Sequence, residues 1–218
     1  LAAWRCGNPD LFGSGQQLVG HTANTVTLSK HVQATRWQWA DEHGLPVARQ
    51  LGDSRITWPD GSCWATMARE NTYGRSLNMV MADEGWAWEA HDFWQAVYPT
   101  MAARPDGQAV IFSAASDMPK SLPASLLSSP DTVASMVWGA PPDADPADRR
   151  VWRSSSAYWD GTREQSMHVA STQASFESQW LNIWPEHATT QLHWLPLDDW
   201  NATRDPDPVG DHVDRLHL

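Results

Sequence analysis

Two adjacent carboxylates, Asp83 and Glu84, follow directly on the apolar run Met79, Val80, Met81 and Ala82, and Gly85 comes next. A pair of acids can divide two tasks. One carboxylate holds a hydrated magnesium ion, and the other orients a water and takes its proton. That chemistry needs the pair to sit where a ligand can reach it. A short continuous apolar run bounded by Gly74 and Gly85 reads as a buried strand of a parallel sheet, and ligands of open α/β sheets bind at the carboxyl ends of such strands. Asp83 and Glu84 would then stand at that end. The same residues would equally serve as a solvated acidic turn.

The strand needs neighbours, and the sequence offers two. Residues 17–21, with Leu18, Val19 and Gly20, read as a short strand ending at His21. Residues 108–112 form a second buried strand that runs into Ser113, Ala114, Ala115 and Ser116. Between the acidic pair and that strand, residues 88–103 carry Trp88, Phe93, Trp94, Val97, Tyr98 and Met101. This is the stripe of an amphipathic crossover helix, interrupted by Pro99. Strand, helix and strand in this order form a right-handed parallel unit.

The rest of the chain is read around this unit. A helix is expected from a cap at Thr22 or Asn24 to about Trp39, its apolar positions being Val26, Leu28, Val32 and Trp39, and His43 to Pro46 stop it. Residues 54–58 and 62–66 flank Pro59, Asp60 and Gly61, a turn signal that predicts a hairpin. Residues 70–75 read as a polar loop. After Ser116 there is a short helix at best, then a candidate strand over 132–138 and a proline-stiffened loop at 140–146. Helices follow at 147–154, 163–172 and 176–184, the last ended by Pro185.

Composition bounds what this can be. The chain has 218 residues, 41% of them hydrophobic and 19% charged, enough for one good core. No apolar run approaches the ~18 residues of a membrane span. A soluble, intracellular chain is expected. Its formal charge of −11 argues against a surface that wraps nucleic acid broadly. Cys6 and Cys63 make neither a metal spacing nor a disulfide framework, and read as core or surface thiols. Fifteen tryptophans, spread from Trp4 to Trp200, fit core packing better than one sugar-binding platform. The chain opens at Leu1 inside what reads as the end of a helix, so a fragment is expected.

Taken together, Val19-Gly20-His21-Thr22-Ala23, Gly74-Arg75, Val80 to Glu84, Val110 to Ser116, Asp145-Pro146, Trp152, and Phe176 through Asn182 to Trp184 resemble the ATPase part of phage terminase large subunits. The resemblance implies a P-loop NTPase-like α/β fold, a parallel sheet sandwiched by helices, truncated at the N-terminus and followed by a small helical lid. It implies ATP and Mg²⁺ as cofactors, Asp83 as the Walker B magnesium residue, Glu84 as catalytic base, and Ser113, Ala114, Ala115 and Ser116 as the coupling motif. On this reading 1–138 is the ATPase core, 139–197 the lid and linker, and 198–218 a loose acidic tail. The parent would hydrolyse ATP to package double-stranded viral DNA in the host cytoplasm. It would act as a homo-oligomeric ring with a portal and a small terminase subunit.

Two departures stand beside the match. The sequence contains no Gly-x-x-x-x-Gly-Lys-Ser/Thr run, so the loop that cradles phosphates is missing and the chain alone is expected to be inactive. Asp198, Asp199, Asp205, Asp207, Asp211 and Asp214 lack the strands of a nuclease site and read as a solvated tail. His187 and His193 form no zinc pattern. Two other functions remain open: a tryptophan-rich, non-catalytic binding module, and a metal-dependent nuclease using the Asp-rich tail.

Overall fold

The computed structural model describes residues 1–184 apart from 14, 51, 73, 117, 119, 120, 129–132 and 142. The expectations on 198–218, His187, His193 and Pro185 therefore lie outside the described residues.

Six strands form one sheet in the order β2-β3-β4-β1-β5-β6: β1 (Leu18–Thr22), β2 (Val47–Gln50), β3 (Asp53–Thr57), β4 (Cys63–Thr66), β5 (Met79–Ala82) and β6 (Gln108–Ile111). Strands β4, β1, β5 and β6 are parallel, and β2 and β3 extend the β4 side as an antiparallel meander. The sheet is thus mixed where a parallel one was expected. The β3–β4 hairpin forms at its turn signal: Gly61 takes φ 86°, and the Asp60 carboxylate accepts from the Ser62 N–H at 2.9 Å and from its hydroxyl at 2.6 Å. Backbone with φ in that range suits glycine, which has no Cβ to clash. Strand β2 went unread because it is a half-exposed edge with little alternation.

Strand β1 lies between β4 and β5, and its Gly20 is there for room. A Cβ on it would sit 2.9 Å from Leu77 Cδ1 and 3.0 Å from Met67 Cε. One sheet face packs Leu77, Val80 and Ala82 under Trp88, Phe93, Val97 and Leu122. The other packs Val19, Ile56, Trp64, Met79 and Met81 under Ala2 and Cys6 of α1 (Ala2–Gly7) and Ala40. Arg5 of α1 is almost wholly buried. It donates to Gln17 Oε1 (2.8 Å), Gln108 Oε1 (2.9 Å) and the Asp106 carbonyl (2.7 Å), and pairs with the Asp106 carboxylate at 3.3 Å. Gln17 and Asn78 each donate to that carboxylate at 3.0 Å. Helix α1 is in this way pinned at the amino ends of β1, β5 and β6.

The expected helix to Trp39 is two helices, α2 (Val26–Ala34) and α3 (Trp37–Glu42), and its cap is Thr25, whose hydroxyl accepts from Leu28 N–H at 3.3 Å. Its buried positions are Ser29, Gln33 and Ala40 rather than the apolar stripe. Gln33 turns inward because it donates to the Trp64 carbonyl (2.7 Å) and accepts from Ser54 Oγ (2.6 Å), so its amide is satisfied. Between β5 and β6 the crossover runs as α4 (Ala90–Asp92), a π-helical turn (Phe93–Val97) and α5 (Tyr98–Ala102). Pro99 sits in the first turn of α5, where its missing N–H costs least, and the wider π turn ahead of it relieves the ring's clash.

Helix α6 (Leu122–Leu127) follows, and 133–138 runs without strand pairing, contrary to the strand expected over 132–138. Met136, Val137 and Trp138 there are exposed, so the apolar run buries too little to pair. Helices α7 (Arg149–Ser154), α8 (Gly161–Ala170) and α9 (Phe176–Trp180) gather their own core of Trp152, Met167, Ala170, Phe176, Leu181 and Ile183. Helix α9 ends short of the expected Trp184, and Asn182, at φ 54°, turns the chain. Asn tolerates that left-handed backbone better than other side-chain-bearing residues. The tryptophans divide: Trp58, Trp64, Trp88 and Trp152 are buried, while Trp4, Trp94 and Trp138 on three different segments are about half exposed. Cys6 is buried, Cys63 half-buried, and both are free thiols.

Candidate functional site at the carboxyl edge of the sheet

Strand β5 is buried at all four positions and delivers Asp83 and Glu84 to the carboxyl edge, with β1 on one side and β6 on the other. Both sides hold the turn. Asp83 N–H donates to the Thr22 carbonyl (2.8 Å), and Gly85 N–H donates to the Phe112 carbonyl (2.9 Å). Between them Glu84 lies in the left-handed region, φ 55° and ψ 43°, and its N–H donates to Asp83 Oδ1 at 2.9 Å. A left-handed glutamate costs roughly 1–2 kcal/mol and persists only where the surroundings impose it. The next residue shows the constraint. A Cβ on Gly85 would come within 2.5 Å of Ile111 Cγ2, so the turn is pressed flat against β6.

The segment after β6 meets this turn. The site of a Cβ on Gly85 would be 3.4 Å from Ser113 Cβ, and the buried Ser116 hydroxyl donates to the Trp86 carbonyl at 2.9 Å while accepting from Met118 N–H at 3.1 Å. Ser113 and Ser116 thus meet Gly85 and Trp86, the two residues that follow the acidic pair. Ala115 is fully buried, and its carbonyl accepts from Gln179 Nε2 of α9 at 3.3 Å. Gln179 is a contact that no sequence pattern marked.

Two further polar residues crowd the edge from β1. His21 and Thr22 are buried, and among the described residues His21 Nδ1 and Thr22 Oγ1 have no hydrogen-bond partner. Burial draws the His21 pKa below its ordinary 6.5, against a smaller opposing pull from the Asp83 carboxylate. The imidazole is neutral near pH 7. His21 stands in the sequence between small residues at a strand end, but only the register of β1 on β5 reveals its nearness to Asp83.

Strand β6 is the last strand of the described sheet. Its outer side borders a cleft of about 830 Å³ lined by Gln108 to Ile111, Ser113, Trp94, Tyr98 and residues 133–137. Among the described residues no three His, Cys, Asp or Glu side chains converge on a metal position, and no helix is long and apolar enough to cross a membrane.

These features define a class, an α/β protein with an acidic turn at the carboxyl edge of its central parallel strands and a helical unit bound beside it. The fold is that of phage large terminases. The bacteriophage HK97 large terminase superposes with a TM-score of 0.61 at 15% identity, over 78% of this chain and 40% of its own. The large terminase of a thermophilic bacteriophage gives 0.59 at 11% identity, over 84% of this chain and 44% of its own. The chain therefore spans less than half the length of either. No family model matches the sequence, and no curated protein matches it.

Proposed function

We propose that this chain is the strand-and-lid portion of a large-terminase-type ATPase, in which Asp83 holds magnesium and Glu84 is the catalytic base. The observation that carries the reading is the acidic turn: a strained, left-handed Glu84 fixed between Asp83, bonded to β1, and Gly85, pressed on β6. A solvated turn would have no reason to retain that strain, because Gly or Asn would relieve it.

Magnesium is commonly held by one or two carboxylates together with substrate phosphates, not by an all-protein cage. Asp83, with one oxygen turned to the Glu84 N–H and no cluster of further acids around it among the described residues, fits that manner of binding. When bound, the ion neutralises charge on the phosphate oxygens. Glu84 orients the attacking water and takes its proton. Ser113 to Ser116, bonded to Trp86 on one side and to Gln179 on the other, carry the change at the acidic turn to the helical unit. That unit, with its own core, serves as the lid of 139–197, and 1–138 as the ATPase core. In the whole protein the work would be packaging of double-stranded DNA, together with portal and small-subunit partners in a ring; the likeness of fold supports this reading.

The phosphate cradle is absent from this sequence, so the chain by itself turns over ATP poorly or not at all. The outer side of β6, which pairs with no strand among the described residues, is where a strand bearing such a loop would pair. Fusing a strand, phosphate loop and helix from a large terminase ahead of Leu1 tests the reading. The fusion should hydrolyse ATP with Mg²⁺, and Glu84→Gln should lower turnover ~10²–10⁴-fold while nucleotide binding is kept. A fusion that binds ATP and hydrolyses it equally fast with Glu84→Gln would remove Glu84 from the mechanism.

A further inference from the structure

The outer side of β6 and residues 133–137 border one apolar cleft without pairing across it. Gln108 N–H donates to the Asn78 carbonyl (3.0 Å) and Phe112 N–H to the Ala82 carbonyl (2.9 Å), so by alternation the N–H groups of Ala109 and Ile111 point outward. Among the described residues no strand lies there to accept from them. Across the cleft Val133, Val137 and Trp138 are β-prone, yet no backbone hydrogen bond joins 133–137 to another described residue. The far end of this segment is held elsewhere. Ala140 N–H donates to the Leu181 carbonyl at 2.8 Å, and the Asn182 amide donates to the Trp138 carbonyl at 3.3 Å, which ties the segment to the helical unit.

Trp94, Tyr98, Leu127, Met136 and Val137 line the cleft and are 40–81% exposed, and Phe112 and Trp138 extend the patch along the chain. Together they leave on the order of 700 Å² bare, beyond the few hundred Å² usual for a monomer and near the ~800 Å² that each partner of a stable interface buries. Among the described residues Arg104 is the one charged group lining the cleft, and it donates to the Ser76 hydroxyl (2.8 Å) and carbonyl (3.3 Å). A chain of formal charge −11 repels its own copies over most of its surface, and this face is where two copies can meet without that repulsion. We propose that the occupant is a second copy of this chain: the segment 133–138 of each protomer pairs with the outer edge of β6 in the other. The exchange is reciprocal, so a two-fold axis closes it at a dimer and leaves neither β6 edge bare. It supplies acceptors for the Ala109 and Ile111 N–H groups and buries a segment that its tie to Leu181 keeps from its own β6. The strand of a phosphate loop, where present, would take the same edge in its place. The inference concerns the chain as it stands and does not rest on the ATPase reading.

Sedimentation velocity of the full chain from ~1 to ~100 µM tests the proposal, a range that reaches the weak end for an interface of this size. The expected species has twice the mass of the chain. Met136→Lys and Val137→Lys, both at exposed positions, should each raise the dissociation constant ~10-fold or more, because the two-fold places each substitution in the interface twice. Val169→Lys, exposed on α8, should leave it unchanged. Hydrogen exchange gives the location: the Ala109 and Ile111 amides should gain protection as concentration rises and lose it in Met136→Lys. Circular dichroism matching the parent's shows that the variants fold, and if one does not, the concentration dependence of exchange in the parent decides. No arm uses nucleotide or metal, so failure here leaves the roles of Asp83 and Glu84 untouched. A monomer throughout the range, assembly that runs on past the dimer, or a dimer indifferent to both lysine variants overturns the inference. Protection of Ala109 and Ile111 that does not change with concentration also overturns it, since the edge is then covered within one chain.

Discussion

Replacing Arg5 by Met should cost this protein a large part of its stability, although Arg5 is a charged residue on a six-residue helix. Its side chain is 2% exposed and that of Asp106 10%. Losing the guanidinium removes the charge that faces the Asp106 carboxylate, and takes the donor from the buried Gln17 Oε1, from Gln108 Oε1 and from the Asp106 carbonyl. Removing one member of a buried ion pair costs ~3–5 kcal/mol. For a chain of this size each kcal/mol is worth ~2–4 °C, so the melting temperature should drop by roughly 6–20 °C. Thermal and urea denaturation followed by circular dichroism at pH 7 would measure it. Arg5→Lys should rescue little, because one ammonium cannot fork between three acceptors. Arg5→Met with Asp106→Leu should be less damaged than the two single losses added, with a coupling of ~1–3 kcal/mol. A loss below ~1 kcal/mol for Arg5→Met, or strict additivity in the double variant, would refute the claim that this network pins α1 to the sheet.

Glu84→Gly should raise the urea midpoint, since removing ~1–2 kcal/mol of left-handed strain outweighs the ~0.5–1 kcal/mol entropic cost of glycine, whereas Glu84→Gln should leave it unchanged; a destabilised glycine variant would contradict the strain. Gly85→Ala should destabilise by ~1–3 kcal/mol through overpacking against Ile111. Adding Ile111→Ala should relieve that overpacking, and a neutral Gly85→Ala would show the turn is not pressed on β6. Stability should also depend on pH through His21, whose folded pKa is depressed: the unfolded chain takes up the proton more readily, so the contribution is full above about 6.5 and is lost as pH falls toward and through the folded value. Subtracting the pH–stability curve of His21→Gln from that of the parent isolates this loss, and coincident curves would count against a buried neutral imidazole.

What the sequence made legible is the part governed by continuous runs and turn chemistry. The apolar runs into Thr22, Asp83 and Phe112 placed three neighbouring parallel strands with the acidic pair at their carboxyl edge, and Pro59-Asp60-Gly61 placed the hairpin. Periodicity misled where polar side chains had inward partners. Gln33 is buried by its bonds to Trp64 and Ser54, which no helical stripe encodes. It misled again at 133–138, where β-prone residues exist but pair with no strand. Proline also drew attention from Asn182, whose backbone turns the chain before Pro185 is reached. His21 and Trp64 are far apart in the chain, so their shared face, and the nearness of His21 to Asp83, depend on a register that only the folded sheet supplies.

The central place of β1 has a kinetic consequence. It precedes every other strand among the described residues, yet its partners are β4, which pairs Val19 with Trp64, and β5, which pairs Val19 with Met79. The β2–β3–β4 meander closes on local contacts and can form in microseconds, whereas β1 must wait for distant chain to arrive and bears the loop-closure cost of both pairings. During synthesis β1 leaves the ribosome before either partner exists, and its apolar residues stay unpaired until β5 follows. Folding should therefore be limited by the docking of β1 between two halves that are each ready before it. Substitutions that weaken β1 packing without touching the meander, such as Val19→Ala, should then slow refolding more than they speed unfolding.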